Sequence, residues 1–291
     1  MRMSWCLLAC AVHTACSASG PPVDAGVPAL RVISFVPSAT DVILALGEES
    51  RLIARTEFDE DVRLASLPSI GGPAHASIES IVSARPDLVL LWRVGPGSHL
   101  GPRLEELGIR TVALGTETLP ELLESIDTLG VLLDRRARTD SLHRAIVDTL
   151  AVVRAAARTR RPLRVFYMVW RDPPMTAGAG TFIDEIIRTA GGSNIYHDAT
   201  IAWPQVAIES LVRRDPDVIL VPRGATGTQS VASLCDDPVW RHVRAVRRGH
   251  VLEVDERLYN RPGPRVGRAA RELLAKLDSI RRGFAPGTCA P

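Results

Sequence analysis

From residue 31 onward, short apolar runs alternate with amphipathic stretches. Val32-Ile33-Ser34-Phe35-Val36, Leu88–Trp92, Thr111–Leu114, Val165–Val169, Val218–Val221 and Val251–Val254 are rich in branched and aromatic residues, which predicts buried strands, with a shorter one at Leu52-Ile53-Ala54. Between them Asp41–Leu46, Ile78–Ala84, Leu100–Leu107, Phe182–Ala190, Ile208–Arg213 and Arg265–Ile280 read as helices, three of them stopped by Gly47, Gly108 and Gly191. Strands alternating with helices predict mainly parallel sheets covered on both faces. From about Leu119 to Arg160 no strand interrupts. There Leu142, Ile146, Leu150 and Val153 form a helical stripe, which predicts a long strut.

The pattern also repeats. The segment from Ile78 to Leu91 returns about 130 residues on, from Ile208 to Val221, with half of the positions identical, and Arg31–Val36 is echoed by Arg164–Val169. Units this long are not solenoid repeats. The chain is therefore expected to be α/β: two similar Rossmann-like lobes with mainly parallel sheets, 31–133 and 162–291. One long α-helix, 134–161, joins them, and a ligand cleft lies between the lobes.

Charge narrows the partners. Net charge is +2, from 35 basic and 33 acidic side chains, too balanced for a polyanion, so no nucleic acid is expected. No apolar run reaches the roughly 20 residues that span a bilayer. Residues 1–30 differ from the rest: a basic start, a short apolar core, Cys10 and Cys16 among small residues, then a Ser/Gly/Pro/Ala tether. They predict export. Cys235 and Cys289 then remain in the folded part, where in an oxidising compartment they either pair or stay as two thiols.

In open α/β sheets ligands bind beyond the carboxyl ends of the strands. The segments there contain Phe58, Trp92, Arg93, Trp170, Arg171, Met175 and Tyr259, and Trp203 lies in a loop before the second repeat helix. Three of the five tryptophans fall on these loops, in a chain that is 4% aromatic, which points to a broad, flat ligand. No Gly-x-Ser-x-Gly elbow or phosphate loop is present, and Gly178-Ala179-Gly180 lacks the third glycine of a dinucleotide fingerprint, at Ile183. An enzyme is not expected.

Trp92-Arg93, Asp172–Gly178, Gly191–Ile195 and Trp203-Pro204-Gln205-Val206 together resemble the substrate-binding proteins of ABC importers for cobalamin, iron-siderophores and haem, most of all the cobalamin-binding kind. The resemblance runs from Arg31 to Ile280. It implies that Trp92 and Trp203 line a corrinoid cleft, that Met175 replaces a cleft aromatic, and that Phe58 substitutes for a first-lobe tyrosine whose aligned position is Thr56. Trp170, Arg93 and Tyr259 complete the expected ligand set, with cobalamin or a related corrinoid as ligand and no cofactor. The first-lobe tryptophan of the family is absent from Ile70-Gly71-Gly72-Pro73.

The same resemblance implies that Glu79 and Glu209, equivalent in the two repeats, dock on an ABC permease dimer. As helix-start acids they also complement the helix dipole. A periplasmic monomer is expected, and residues 1–16 resemble a bacterial lipoprotein signal, which implies that it is held to a membrane only by lipid on Cys16, with lipid on Cys10 or plain cleavage near Ala18 as alternatives. Competing cargoes are haem, with Tyr259 or a histidine as axial ligand; a ferric siderophore facing Arg93, Arg171 and Arg257; and a metal ion held by His75, His99 and His197 with a carboxylate.

Overall fold

The structure, a computed structural model, describes residues 29–73, 75–223 and 231–283. Three parallel strands, β1 (Val32–Ser34), β2 (Leu88–Trp92) and β3 (Arg110–Leu114), form the first sheet in that spatial order. Helices α1 (Pro37–Ala45), α2 (Ile78–Ser83) and α3 (Leu100–Glu106) follow or precede them. The helix expected from Asp41 already begins at Pro37, because proline at the first helical position lacks only an N–H that would have no intrahelical partner. Leu52-Ile53-Ala54 is not a strand: a 3-10 turn at Glu49–Arg51 brings only Leu52 alongside Val32.

The strand-free stretch from Leu119 to Arg160 forms two helices, α4 (Leu119–Leu132) and α5 (Arg136–Ala157), the second lying within the linking helix expected over 134–161. Thr118 and Glu121 close a capping box at the start of α4. The break falls where Asp134 takes a φ of 55°, a left-handed conformation that aspartate tolerates better than most residues. Across it the helices nearly touch. A Cβ on Gly130 would stand 2.0 Å from Thr139 Oγ1, so only glycine permits this approach.

The second lobe contains β4 (Leu163–Tyr167), the hairpin β5 (Trp170–Arg171) and β6 (Pro174–Met175), α6 (Phe182–Thr189), β7 (Gly192–Asn194), α7 (Ile208–Arg214) and β8 (Val218–Arg223). It closes with α8 (Val231–Asp236), α9 (Arg244–Arg247), β9 (Val251–Asp255), α10 (Glu256–Tyr259) and α11 (Val266–Arg281). Its sheet has the order β7-β4-β8-β9, all parallel. The fold is thus the two-lobed α/β arrangement with mainly parallel sheets. The sequence pattern missed β7, whose Gly-Ser-Asn has little intrinsic strand preference; pairing along β4 makes it a strand.

The two lobes share the largest of three apolar clusters among the described residues. It runs from Val32 and Leu90 through Leu129, Ile146 and Leu150 to Val165, Tyr167 and Leu273 without a gap. Helix α5 packs on α4 at one side and on α6 and α11 at the other. Ion pairs pin both ends: Arg135 and Arg51 grip Glu48 in the first lobe, and Arg160 pairs with Asp278 of α11 at 2.9 Å. Burial pushes the pKa of Glu48 and of Asp278 upward, but hydrogen bonds from these arginines, and from Arg281 to Asp278, outweigh it and hold both below the usual range.

Among the described residues no helix is long and apolar enough to cross a membrane. Cys10, Cys16 and Ala18 lie outside the described residues. Cys235 on α8 is disulfide-bonded; Cys289 also lies outside them.

Candidate functional site

The loops that leave the carboxyl ends of the parallel strands converge on one cleft between the lobes. Its main cavity, about 390 Å³, has Pro37, Ser38, Trp92, Thr116 and Glu117 from the first lobe and Val169, Phe182, Trp203, Asn260 and Arg261 from the second. Two further cavities, of about 220 and 280 Å³, continue it along the boundary between the lobes; Arg261 borders all three. Phe58 and Trp92 both line the 220 Å³ cavity.

Each aromatic wall has a local cause. Trp92 ends β2 in register with Leu114, where the sheet stops and the side chain turns from core to cleft. Trp203 sits on a loop stitched to the β5–β6 hairpin: the Thr176 and Gly178 amides donate to Pro204 and Ala202 carbonyls at 3.0 and 2.7 Å. Phe182 meets its ring edge-on, with centroids 6.4 Å apart. The Trp203 indole N–H donates across the cleft to Glu117 Oε2 at 2.9 Å, and the Phe182 amide donates to the Glu117 carbonyl at 2.8 Å. Glu117 therefore ties the lobes on one side.

Three arginines tie them on the other. Arg257 pairs with Glu60, Arg261 donates to the Phe58 carbonyl at 2.7 Å, and Arg265 reaches Asp41 at 3.1 Å. Burial raises the pKa of Asp41 against the pull of Arg265 and Arg261. Next to it a hydrogen bond from Arg63 pulls Asp61 down to about 2.

Several expected ligand contacts lie elsewhere. Tyr259 is buried, because the turn of α10 carries it under α11, where its hydroxyl donates to the Ala269 carbonyl; burial pushes that phenol far above its ordinary pKa. It cannot serve as an axial ligand. Arg93 turns away from the cleft onto Glu121 and Glu124 of α4, both at 3.3 Å, and Arg171 is held by Asp237 and Ser233. Trp170 is half exposed, with its indole donating to the Asp172 carbonyl of its own hairpin, and borders none of the three cavities. Met175 does not line them either. Its backbone instead bridges to Gln205 and so positions the Trp203 loop. Thr56 is buried against Asp59.

The histidines do not converge. His75 and His99 are exposed, while His197 lies 3.0 Å from the buried Asp184 of α6. Among the described residues no group of three or more His, Cys, Asp and Glu side chains comes close enough to hold a metal ion. Glu79 and Glu209 are exposed at the second position of α2 and α7, equivalent places in the two lobes.

Sequence reasoning placed Ser38 beyond the first strand, where ligands bind, but missed Thr116, Glu117, Phe182, Asn260 and Arg261. The rule that ligands sit past strand ends covers Thr116 and Glu117, which follow β3. Arg261 follows β9 only after the α10 turn.

The chain is 27% identical to the vitamin B12-binding protein of Vibrio parahaemolyticus over 88% of its own length and 92% of that protein. It is 29% identical to the protein of the same name from Pectobacterium atrosepticum, over 86% and 89%. Among solved structures, the periplasmic vitamin B12-binding protein of Vibrio cholerae superposes with a TM-score of 0.74, 26% identity and coverage of 88% of this chain and 99% of that one. The periplasmic haem-binding protein of Roseiflexus in apo form gives 0.76, 26%, 86% and 98%. The periplasmic binding protein family matches residues 32–258, well over half of the chain, and with its fold and its inter-lobe cleft in view the chain belongs to that family.

Proposed function

We propose that this protein captures cobalamin or a related corrinoid between its lobes and delivers it to an ABC permease, making and breaking no bond. The observation that carries this reading is the facing of Trp92 and Trp203, one per lobe, onto a single cavity, with Phe182 behind Trp203. Flat aromatic area on both sides suits a macrocycle. The similarity to vitamin B12-binding proteins over nearly their whole length supports the same ligand.

A haem reading draws support from the Roseiflexus relative. Against it, the walls of the main cavity carry no His, Tyr, Met or Cys, the residues that usually ligate haem iron. Cobalamin needs no such residue, since its own benzimidazole and upper ligand already fill the axial positions of the cobalt, positions that haem iron fills from the protein. Titration of purified protein with cyanocobalamin and with haemin, followed in the visible, tests the assignment: saturable binding of cyanocobalamin in preference to haemin is expected, and the reverse order overturns it.

The rest of the reading concerns delivery. Export by the N-terminal segment, a lipid anchor on Cys16, a periplasmic location and action as a monomer fit the family and the tether-like composition of residues 17–28. Glu79 and Glu209 are the residues we assign to permease docking: they are exposed, equivalent, and one per lobe, as a two-fold partner requires.

A further inference from the structure

The open polar groups of the cleft have a composition that an anionic ligand would not match. Ser38 and Thr116, 5% and 7% exposed, line the main cavity, and neither hydroxyl has a hydrogen-bond partner among the described residues. Glu117 uses Oε2 for the Trp203 indole and leaves Oε1 open, with no cation paired to it. Facing these from the second lobe are donors. Asn260 accepts from the Tyr167 hydroxyl through Oδ1, which leaves its amide N–H groups open, and Arg261 has no carboxylate within ion-pair distance. One wall thus offers a carboxylate and the other offers N–H groups.

A ligand carboxylate satisfies the arginine wall but meets like charge at Glu117; an ammonium does the opposite. A primary carboxamide satisfies both, with its carbonyl toward Arg261 or Asn260 and its N–H toward Glu117. Hydroxyls accept either. Glu117 is part-buried, and a ligand over it removes more of its water; leaving a carboxylate there without a donor, or against another carboxylate, is costly, and such a mismatch is a strong source of selectivity.

We propose that Glu117 makes this cleft select macrocycles bearing neutral carboxamide substituents over macrocycles bearing carboxylates. The ligand class rests on the corrinoid reading above, because corrinoids carry peripheral carboxamides whereas haem carries two propionates. Glu117 would then act twice, holding Trp203 in place and sorting ligands by charge.

The test compares affinities within pairs of ligands that differ only in charge. Cyanocobalamin and each of its monocarboxylic acids, made by hydrolysing one peripheral amide, are titrated into the wild-type protein and into E117Q, whose amide oxygen still accepts from the Trp203 indole. The wild-type protein should bind cyanocobalamin at least about tenfold more tightly than at least one of the acids, and E117Q should cut that ratio by about tenfold. Equal affinity of the wild-type protein for amide and all acids, a result that needs no variant, overturns the proposal. So does a ratio unchanged in E117Q. If no corrinoid binds, the corrinoid reading falls, and haemin against its dimethyl ester decides the role of Glu117 separately: a preference for the ester that E117Q removes supports charge sorting, and equal binding refutes it.

Discussion

Glu117 of the first lobe accepts the indole N–H of Trp203 of the second at 2.9 Å, directly across the mouth of the cleft. One of the two aromatic walls is therefore oriented by the opposite lobe before any ligand arrives. Preorganisation of this kind lowers the ordering cost of binding. Trp92→Ala and Trp203→Ala should each weaken cyanocobalamin binding by about 2 kcal/mol or more, about thirtyfold, as buried aromatic anchors do. Calorimetric titration measures this, and unchanged affinity in both variants would remove the ligand from the cleft.

Binding and delivery should separate. Charge reversal of both docking residues, Glu79→Lys with Glu209→Lys, is expected to abolish uptake in a reconstituted system while cyanocobalamin affinity stays within about twofold, since neither residue borders a cleft cavity. Normal uptake by the double variant, or equal loss of binding and uptake, would contradict the docking role.

The lobes should move little on binding. Three arginine contacts and the Glu117 contacts bridge them, and α5 is pinned at both ends. Small-angle scattering with and without ligand should show a change in radius of gyration below about 1 Å, in keeping with preorganised complexes. A shrinkage of several ångströms would mean the strut bends.

Acid should destabilise the fold within a defined window. Asp61, Glu48 and Asp278 have pKa values below those of the unfolded chain, Asp61 at about 2. The native state then binds fewer protons than the unfolded state, so these groups stabilise above about pH 4 and their contribution is lost as pH falls toward about 2. Thermal melts across that range should show a falling midpoint. Glu48→Ala, which strips two arginines of a buried acceptor, should cost about 2 kcal/mol at neutral pH; a midpoint independent of pH, or a silent Glu48 variant, would count against this account.

The readability of the site followed its chemistry. Trp92 and Trp203 stand out because tryptophan is scarce and strand ends are where such sheets bind ligands. Glu117 does not, because Thr116-Glu117-Thr118 leads into a capped helix, where an acid reads as a complement to the helix dipole. Tyr259 was misleading for the opposite reason. A tyrosine just past a strand resembles a ligand contact until the α10 turn is seen to bury it. The strut was legible as helical periodicity from residue 134 on, although the turn before it carries no glycine, because Asp134 itself takes the left-handed conformation.

The gapless core through α5 bears on how the protein unfolds. Ile146, Leu150 and Val153 of α5 are buried in the same apolar cluster that holds Val32 and Leu90 on one side and Val165 and Leu273 on the other, so the largest hydrophobic interior belongs to neither half alone, and each keeps only a smaller cluster of its own, around Ile33 and Val89 in the first lobe and Phe166 and Ile219 in the second. Melting one half strips the other of its packing partner. The chain should therefore denature as a single cooperative unit, with one calorimetric peak in place of two, and neither half expressed alone should reach a native state.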